Sequence, residues 1–159
     1  MIAFYNAIAN HGKLVSPLLV YDYEKNGKTV NSFSRKTTHE ICTEDVAESV
    51  IDALHDNIVS GTAFRLIKHD IAGKTSINWL VSNDPNHDDS GHFSPLGSFT
   101  GFFPTEKPKY TFFVYLYSNP SDLAAVSVIS LSEIVAGKLV TAFYEWNPSL
   151  KGDAKWNMP

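Results

Sequence analysis

"TEDVAESVIDALHDNIVSG" (residues 43–61) decides the fold class, because its apolar residues suit only one kind of backbone. Ala47, Val50, Ile51, Leu54 and Ile58 recur at helical spacing, so a helix gathers them into one stripe, whereas a strand would scatter them over both faces. Thr43 stands where an N-cap hydroxyl belongs, Glu44 and Asp45 suit the positive end of the helix dipole, and Gly61 supplies a stop. The spacing predicts a helix over residues 43–60.

Outward from that helix the sequence turns strand-like. "SPLLVYDYEKNGKTVNSF" (16–33) places β-favouring residues on both sides of Asn26-Gly27, a pair that tolerates the positive φ of a tight hairpin. "AFRLIKHD" (63–70) and "TSINWLVS" (75–82) flank "IAGK" and predict a second hairpin. "KYTFFVYLY" (109–117) is apolar almost throughout, the pattern of a central strand buried on both faces. "DLAAVSVIS" (122–130) reads as its neighbour, Ser130 and Glu133 as the capping box of a short helix stopping at Gly137, and "LVTAFYEW" (139–146) as a last strand. Residues 83–108 have no apolar periodicity and carry four prolines, so a long loop is expected there. Together these elements predict a single α+β domain over residues 1–159, with a mixed or antiparallel sheet and one long helix packed across it.

Composition narrows the function classes. Hydrophobic residues make up 43% and charged residues 19%, which is a globular rather than a disordered profile. The single Cys42 excludes an internal disulfide and fits a reducing compartment, so a cytoplasmic address is expected. "MIAFYNAIANHGK" lacks the basic start of a signal peptide, and no apolar run is long enough to span a membrane. A net charge of -4 with scattered Lys and Arg argues against a surface that wraps nucleic acid, leaving only a local patch for such a partner.

Several catalytic motifs fail. Neither phosphate-cradling glycine loop occurs; "GSFTG" (97–101) carries Phe99 where a nucleophile elbow needs serine; "HEICT" (39–43) has Thr43 where a zinc-protease helix needs histidine. Two constellations survive. Glu48, Asp52 and His55 share one helix face with Glu44 nearby, in a region of six acids and no Lys or Arg, which suits a basic macromolecular partner or a second copy of the chain. "NDPNHDDSGH" (83–92) offers His87, Asp88, Asp89 and His92, with Asp84, as nitrogen and oxygen ligands for a divalent metal cofactor, although the same residues are ordinary turn formers.

The order of "KHDIAGKTSINWLVS", "KYTFFVYLY" and "AAVSVISLSEIVAGK" after the helix resembles the core of the restriction-endonuclease-like nucleases, in pattern only, over residues 43–146. The resemblance implies magnesium-assisted phosphodiester cleavage, with Asp70 as the hairpin aspartate and Glu48 as the helix carboxylate. The family's Glu-x-Lys is missing: the strand reads "INWLVS", with Trp79 and Val81 near the expected places. Two functions are therefore expected, a non-enzymatic binding or regulatory module and, as the alternative, a metal-assisted nuclease-like hydrolase.

Zinc titration separates ligands from turn formers at residues 83–92. As turn formers, His87 and His92 replaced together by alanine shift stability by no more than about 0.5 kcal/mol, and zinc added after chelator dialysis does not bind. Stoichiometric binding that weakens below about pH 6.5, where histidine protonates, would make them ligands.

Overall fold

The computed structural model describes residues 1–66, 68–81, 93–117 and 125–153. In chain order they form helix α1 (Ile2–Ala9), β1 (Lys13–Val15), β2 (Asp22–Lys25), β3 (Lys28–Ser32), β4 (Thr37–Glu40), α2 (Glu44–Val59), a 3-10 turn (Phe64–Leu66), β5 (Ala72–Val81), β6 (Phe93–Phe103), β7 (Tyr110–Tyr117), α3 (Ala125–Trp146) and a closing 3-10 segment (Pro148–Asp153). The architecture is α+β and every strand pair is antiparallel: β1 with β4, β2 with β3, and a three-stranded sheet in the order β5-β6-β7.

Helix α2 forms where the stripe demands it, and it packs against β5. Thr43 occupies the N-cap position, but its hydroxyl makes no capping bond; the acids of the first turn face the N-terminal dipole instead. The first hairpin also forms, with Asn26 and Gly27 at φ of 53° and 70° as the turn between β2 and β3. Helix α1 and the β1–β4 ladder were not anticipated from sequence.

The sheet differs from expectation in three places. Residues 93–103, expected within a loop at 83–108, form the sheet's middle strand, hydrogen-bonded to β5 on one side and β7 on the other. Its glycines, serines and proline hide the strand signal, because this strand is crowded between layers and has little room for side chains. Among the described residues Pro95 lies beyond Leu96, the last one paired with β7, so its missing N–H costs no described bond on that side. Residues 110–117 do form a strand, but it is an edge strand of the described sheet and is buried on one face only: Phe112 and Val114 are buried, while Phe113, Tyr115 and Tyr117 are exposed.

The third difference is α3. Strands were expected at 122–130 and 139–146 around a short helix, yet residues 125–146 form one helix of 22 residues. Its many β-branched residues resemble strand composition, but Val128, Ser132, Ala136, Val140 and Tyr144 are all buried at four-residue spacing, which is a helical stripe. Gly137 lies inside the helix rather than ending it, since a Cβ there would approach His69 Nε2 to 2.9 Å. "AFRLIKHD" likewise carries a 3-10 turn, so the partner of β5 is β6 rather than residues 63–70.

The core lies between α3 and the sheet. Phe103 is its hub, with ring centroids 5.3 Å from Tyr110, 5.7 Å from Phe112 and Phe143, and 5.8 Å from Tyr144. On the opposite face Phe102 and Ala72 pack with Ile8 of α1 and with the Val50, Ile51 and Leu54 stripe of α2.

The β5–β6 approach is tight at Gly101, where a Cβ would lie 2.5 Å from the Ala72 carbonyl oxygen and 2.8 Å from the Phe99 ring. Backbone cannot yield as a flexible side chain can. Gly101→Ala is expected to destabilise the chain by about 1–3 kcal/mol, the usual cost of overpacking, read as a lower urea midpoint at unchanged slope.

Candidate functional site

The side chains that share a site are set by the entry into β5. Asn57, on the last turn of α2, donates from Nδ2 to the Gly73 carbonyl at 3.0 Å, which fixes its Oδ1 as the free acceptor. Thr62 donates its hydroxyl proton to that Oδ1 at 3.1 Å. The Thr62 and Thr75 hydroxyls are 3.1 Å apart, and since the single Thr62 proton is already committed, Thr75 is the donor between them. Lys74 donates from Nζ to the Thr75 carbonyl at 3.2 Å and reaches the Thr75 hydroxyl at 3.5 Å. One directed chain of hydrogen bonds thus holds Gly73, Lys74 and Thr75 to the end of α2.

These bonds also show which edge of β5 is open. The Gly73 and Thr75 carbonyls accept side-chain donors, so they point away from the β6 ladder, and alternation along the strand puts the backbone groups of Ile77 and Trp79 on the same side. No other strand pairs with this edge among the described residues. Trp79 is 53% exposed. An open strand edge with a lysine at its start suits an extended peptide carrying a carboxylate: the backbone supplies ladder bonds and the ammonium a charge-assisted one.

The structure also places the residues singled out from sequence. Glu44, Glu48 and Asp52 are exposed on α2 and His55 is half-buried. Glu44 and Glu48 gather with His11 of the α1–β1 turn: His11 Nδ1 is 3.0 Å from Glu44, and one ligand atom from each of the three lies within 4.8 Å of the others. Asp70 is buried, and its Oδ1 accepts the Thr105 backbone N–H at 3.1 Å. His87, Asp88, Asp89 and His92 fall outside the described residues.

Comparison with known proteins settles the family. Residues 1–135 match the model of the penicillin binding protein transpeptidase domain. The chain belongs to that family. Solved structures agree on the fold: penicillin-binding protein A of Mycobacterium tuberculosis (19% identity, TM-score 0.56, covering 86% of this chain and 31% of that one), the D,D-transpeptidase domain of a peptidoglycan glycosyltransferase from Eggerthella lenta (21%, 0.62, 89% and 31%) and a peptidoglycan synthetase from Bifidobacterium adolescentis (13%, 0.65, 89% and 26%). The chain spans about a third or less of the length of these structures. No curated protein matches it.

Membership in the penicillin-binding protein family overturns two expectations. The nuclease-like pattern is a coincidence of element order, and it depended on strands at 122–130 and 139–146 that are one helix. Neither a nuclease nor a non-enzymatic binding module is the function this family points to, and nucleic acid finds no support as a partner. No helix among the described residues is long and apolar enough to cross a bilayer.

Sequence reading passed over Lys74 and Thr75. Penicillin-binding proteins carry Ser-x-x-Lys, Ser-Asp-Asn and Lys-Thr-Gly motifs. Lys74-Thr75-Ser76 matches the third in two positions and departs in the last, while Ser-x-x-Lys occurs nowhere in the 159 residues. Two matching residues carry little information alone; the signal is their position at the start of an edge strand.

Asn57→Ala removes the donor to Gly73 and the acceptor of Thr62 together. The expected result is a loss of roughly 1–2 kcal/mol of stability, the range for part-buried hydrogen bonds, with faster amide exchange concentrated at residues 73–76. Uniform exchange changes across the sheet would show that the chain of bonds does not organise β5.

Proposed function

We propose that this chain supplies the substrate-holding strand of a transpeptidase unit that acts on peptidoglycan. The observation that carries the reading is the Lys74-Thr75 pair on the edge of β5 that no described strand covers, where the Gly73 and Thr75 carbonyls point away from β6 and are held by Asn57 and Lys74. Membership in the penicillin-binding protein transpeptidase family supports it, as does the likeness to a fold whose solved examples include a D,D-transpeptidase domain.

In this reading an extended peptide lies along β5 as an added strand. The Lys74 ammonium neutralises its carboxylate, and the Thr75 hydroxyl, its proton held by Thr62, offers lone pairs to an incoming donor. Ser76 places a Cβ and a hydroxyl where the motif has glycine, so the ligand backbone approaches less closely there than a glycine would allow. The penicillin-binding protein A structure with penicillin G is an acyl-enzyme, and acyl transfer needs a nucleophile. With no Ser-x-x-Lys in these residues, the proposal assigns β5 to binding and orientation, not to the covalent step.

Titration of the isotope-labelled chain with soluble peptidoglycan-derived peptides tests this. Saturable shifts are expected along residues 73–79, with affinity falling about tenfold or more in Lys74→Ala, the value of a charge-assisted hydrogen bond. Intact-mass measurement after incubation with penicillin G is expected to show no adduct. Shifts confined to other surfaces, or an affinity indifferent to Lys74, would reject the binding role; a stoichiometric penicillin adduct would reject the division of labour.

A further inference from the structure

A cavity of about 280 Å³ opens to solvent between α3 and the 3-10 turn at Phe64–Leu66. It lies on the α3 side of the sheet and does not depend on the proposed role of β5. Its wall carries a balanced set of charges: Arg65 and Lys138 are cations, Glu133 and Glu145 are anions, and His69 also lines it.

Glu133 is the feature that core packing does not explain. Its side chain is fully buried; Oε2 sits 3.5 Å from Arg65 Nη1, and Oε1 has no hydrogen-bond partner among the described residues. Burying a carboxylate with half its lone pairs unmet is unfavourable, and such a group is retained where something else supplies the donor. His69 adds a second unmet group, a buried Nδ1 beside the same cavity. Burial raises the Glu133 pKa, partly offset by Arg65, and lowers that of His69, so the imidazole is neutral at pH 7.

We propose that this cavity binds a small zwitterion of the free amino acid class, its ammonium facing Glu133 and Glu145 and its carboxylate facing Arg65 and Lys138. Charge decides between this and a simple ion. With His69 neutral the two cations and two anions of the wall already sum to zero, so a bare cation or a bare anion would bring an uncompensated charge, whereas a zwitterion brings none. Size agrees, since the volume equals that of roughly nine waters at about 30 Å³ each. Leu66 and Ile134 give the wall an apolar part that suits an aliphatic side chain.

The test is titration of the labelled chain with glycine and valine, with methylammonium chloride and sodium acetate as the two half-ligands. Saturable amide shifts are expected at Arg65, Leu66, His69 and residues 133–138, tighter for valine than for glycine and at least about tenfold tighter than for either half-ligand. Glu133→Gln is expected to weaken valine binding about tenfold, and Lys138→Ala, an exposed change that spares the core, severalfold. Should Glu133→Gln fail to fold, Lys138→Ala and the half-ligands still decide. Absence of saturation by either amino acid at large molar excess, equal binding of acetate or methylammonium, or indifference to Lys138→Ala would each overturn the proposal.

Discussion

The ring of Phe99 has to lie flat against backbone. It points from the middle strand toward α3, and the positions it covers are glycines: a Cβ on Gly73 would come within 2.5 Å of the ring, and one on Gly101 within 2.8 Å. Phe99 is fully buried, which contributes roughly 1.5–3 kcal/mol, and neither Gly73 of β5 nor Gly101 of its own strand can carry a side chain where the ring lies. β5 is thereby drawn tightly onto β6. The same Gly73 whose missing side chain admits the ring presents its carbonyl to Asn57 of α2. Core packing and the arrangement of Lys74 and Thr75 are therefore two sides of one residue.

That coupling explains what the sequence could and could not announce. Helix α2 was legible because a half-buried helix on a sheet writes its stripe directly into the residue spacing, and the β2–β3 turn was legible because Asn26 and Gly27 adopt a conformation few other pairs accept. β6 was illegible for the opposite reason. Its α3-facing positions run Gly97, Phe99, Gly101, Phe103, alternating large with absent side chains, so the strand lacks the continuous apolar signal that packing on both faces was expected to produce. β7 supplied that signal while standing at the edge, because its outward Phe113, Tyr115 and Tyr117 are as apolar as its inward residues. In α3 the β-branched residues suggested strands, and only the four-residue burial interval separates the two readings.

The candidate site was hidden by proportion. Acids crowd α2 and attract attention, yet Glu44, Glu48 and Asp52 are exposed, where water solvates carboxylates at little cost and no function is needed to explain them. Lys74 and Thr75 are two common residues in "IAGKTS", and nothing in their identity marks them. They gain meaning from the open strand edge, from the Asn57–Thr62–Thr75 chain of bonds and from the family's third motif, none of which a spacing rule detects.

Asp70, expected from the nuclease resemblance to be a metal-binding carboxylate, makes a structural hydrogen bond in the fold. Its position at the mouth of a hairpin suggested a metal-binding carboxylate. In the fold it is buried, just before the first residue of β5, and Thr105 lies just beyond the last residue of β6. The register pairs Ala72 with Phe102, so the entry of one strand and the exit of the other lie side by side. Beyond the ladder, the Thr105 N–H has no strand partner, and an unpaired buried donor would destabilise this corner. The Asp70 carboxylate accepts it at 3.1 Å and continues the strand pairing with a side chain. The bond accounts for Oδ1 and ties the entry of the strand that carries Lys74 to the exit of β6, while Oδ2 has no hydrogen-bond partner among the described residues.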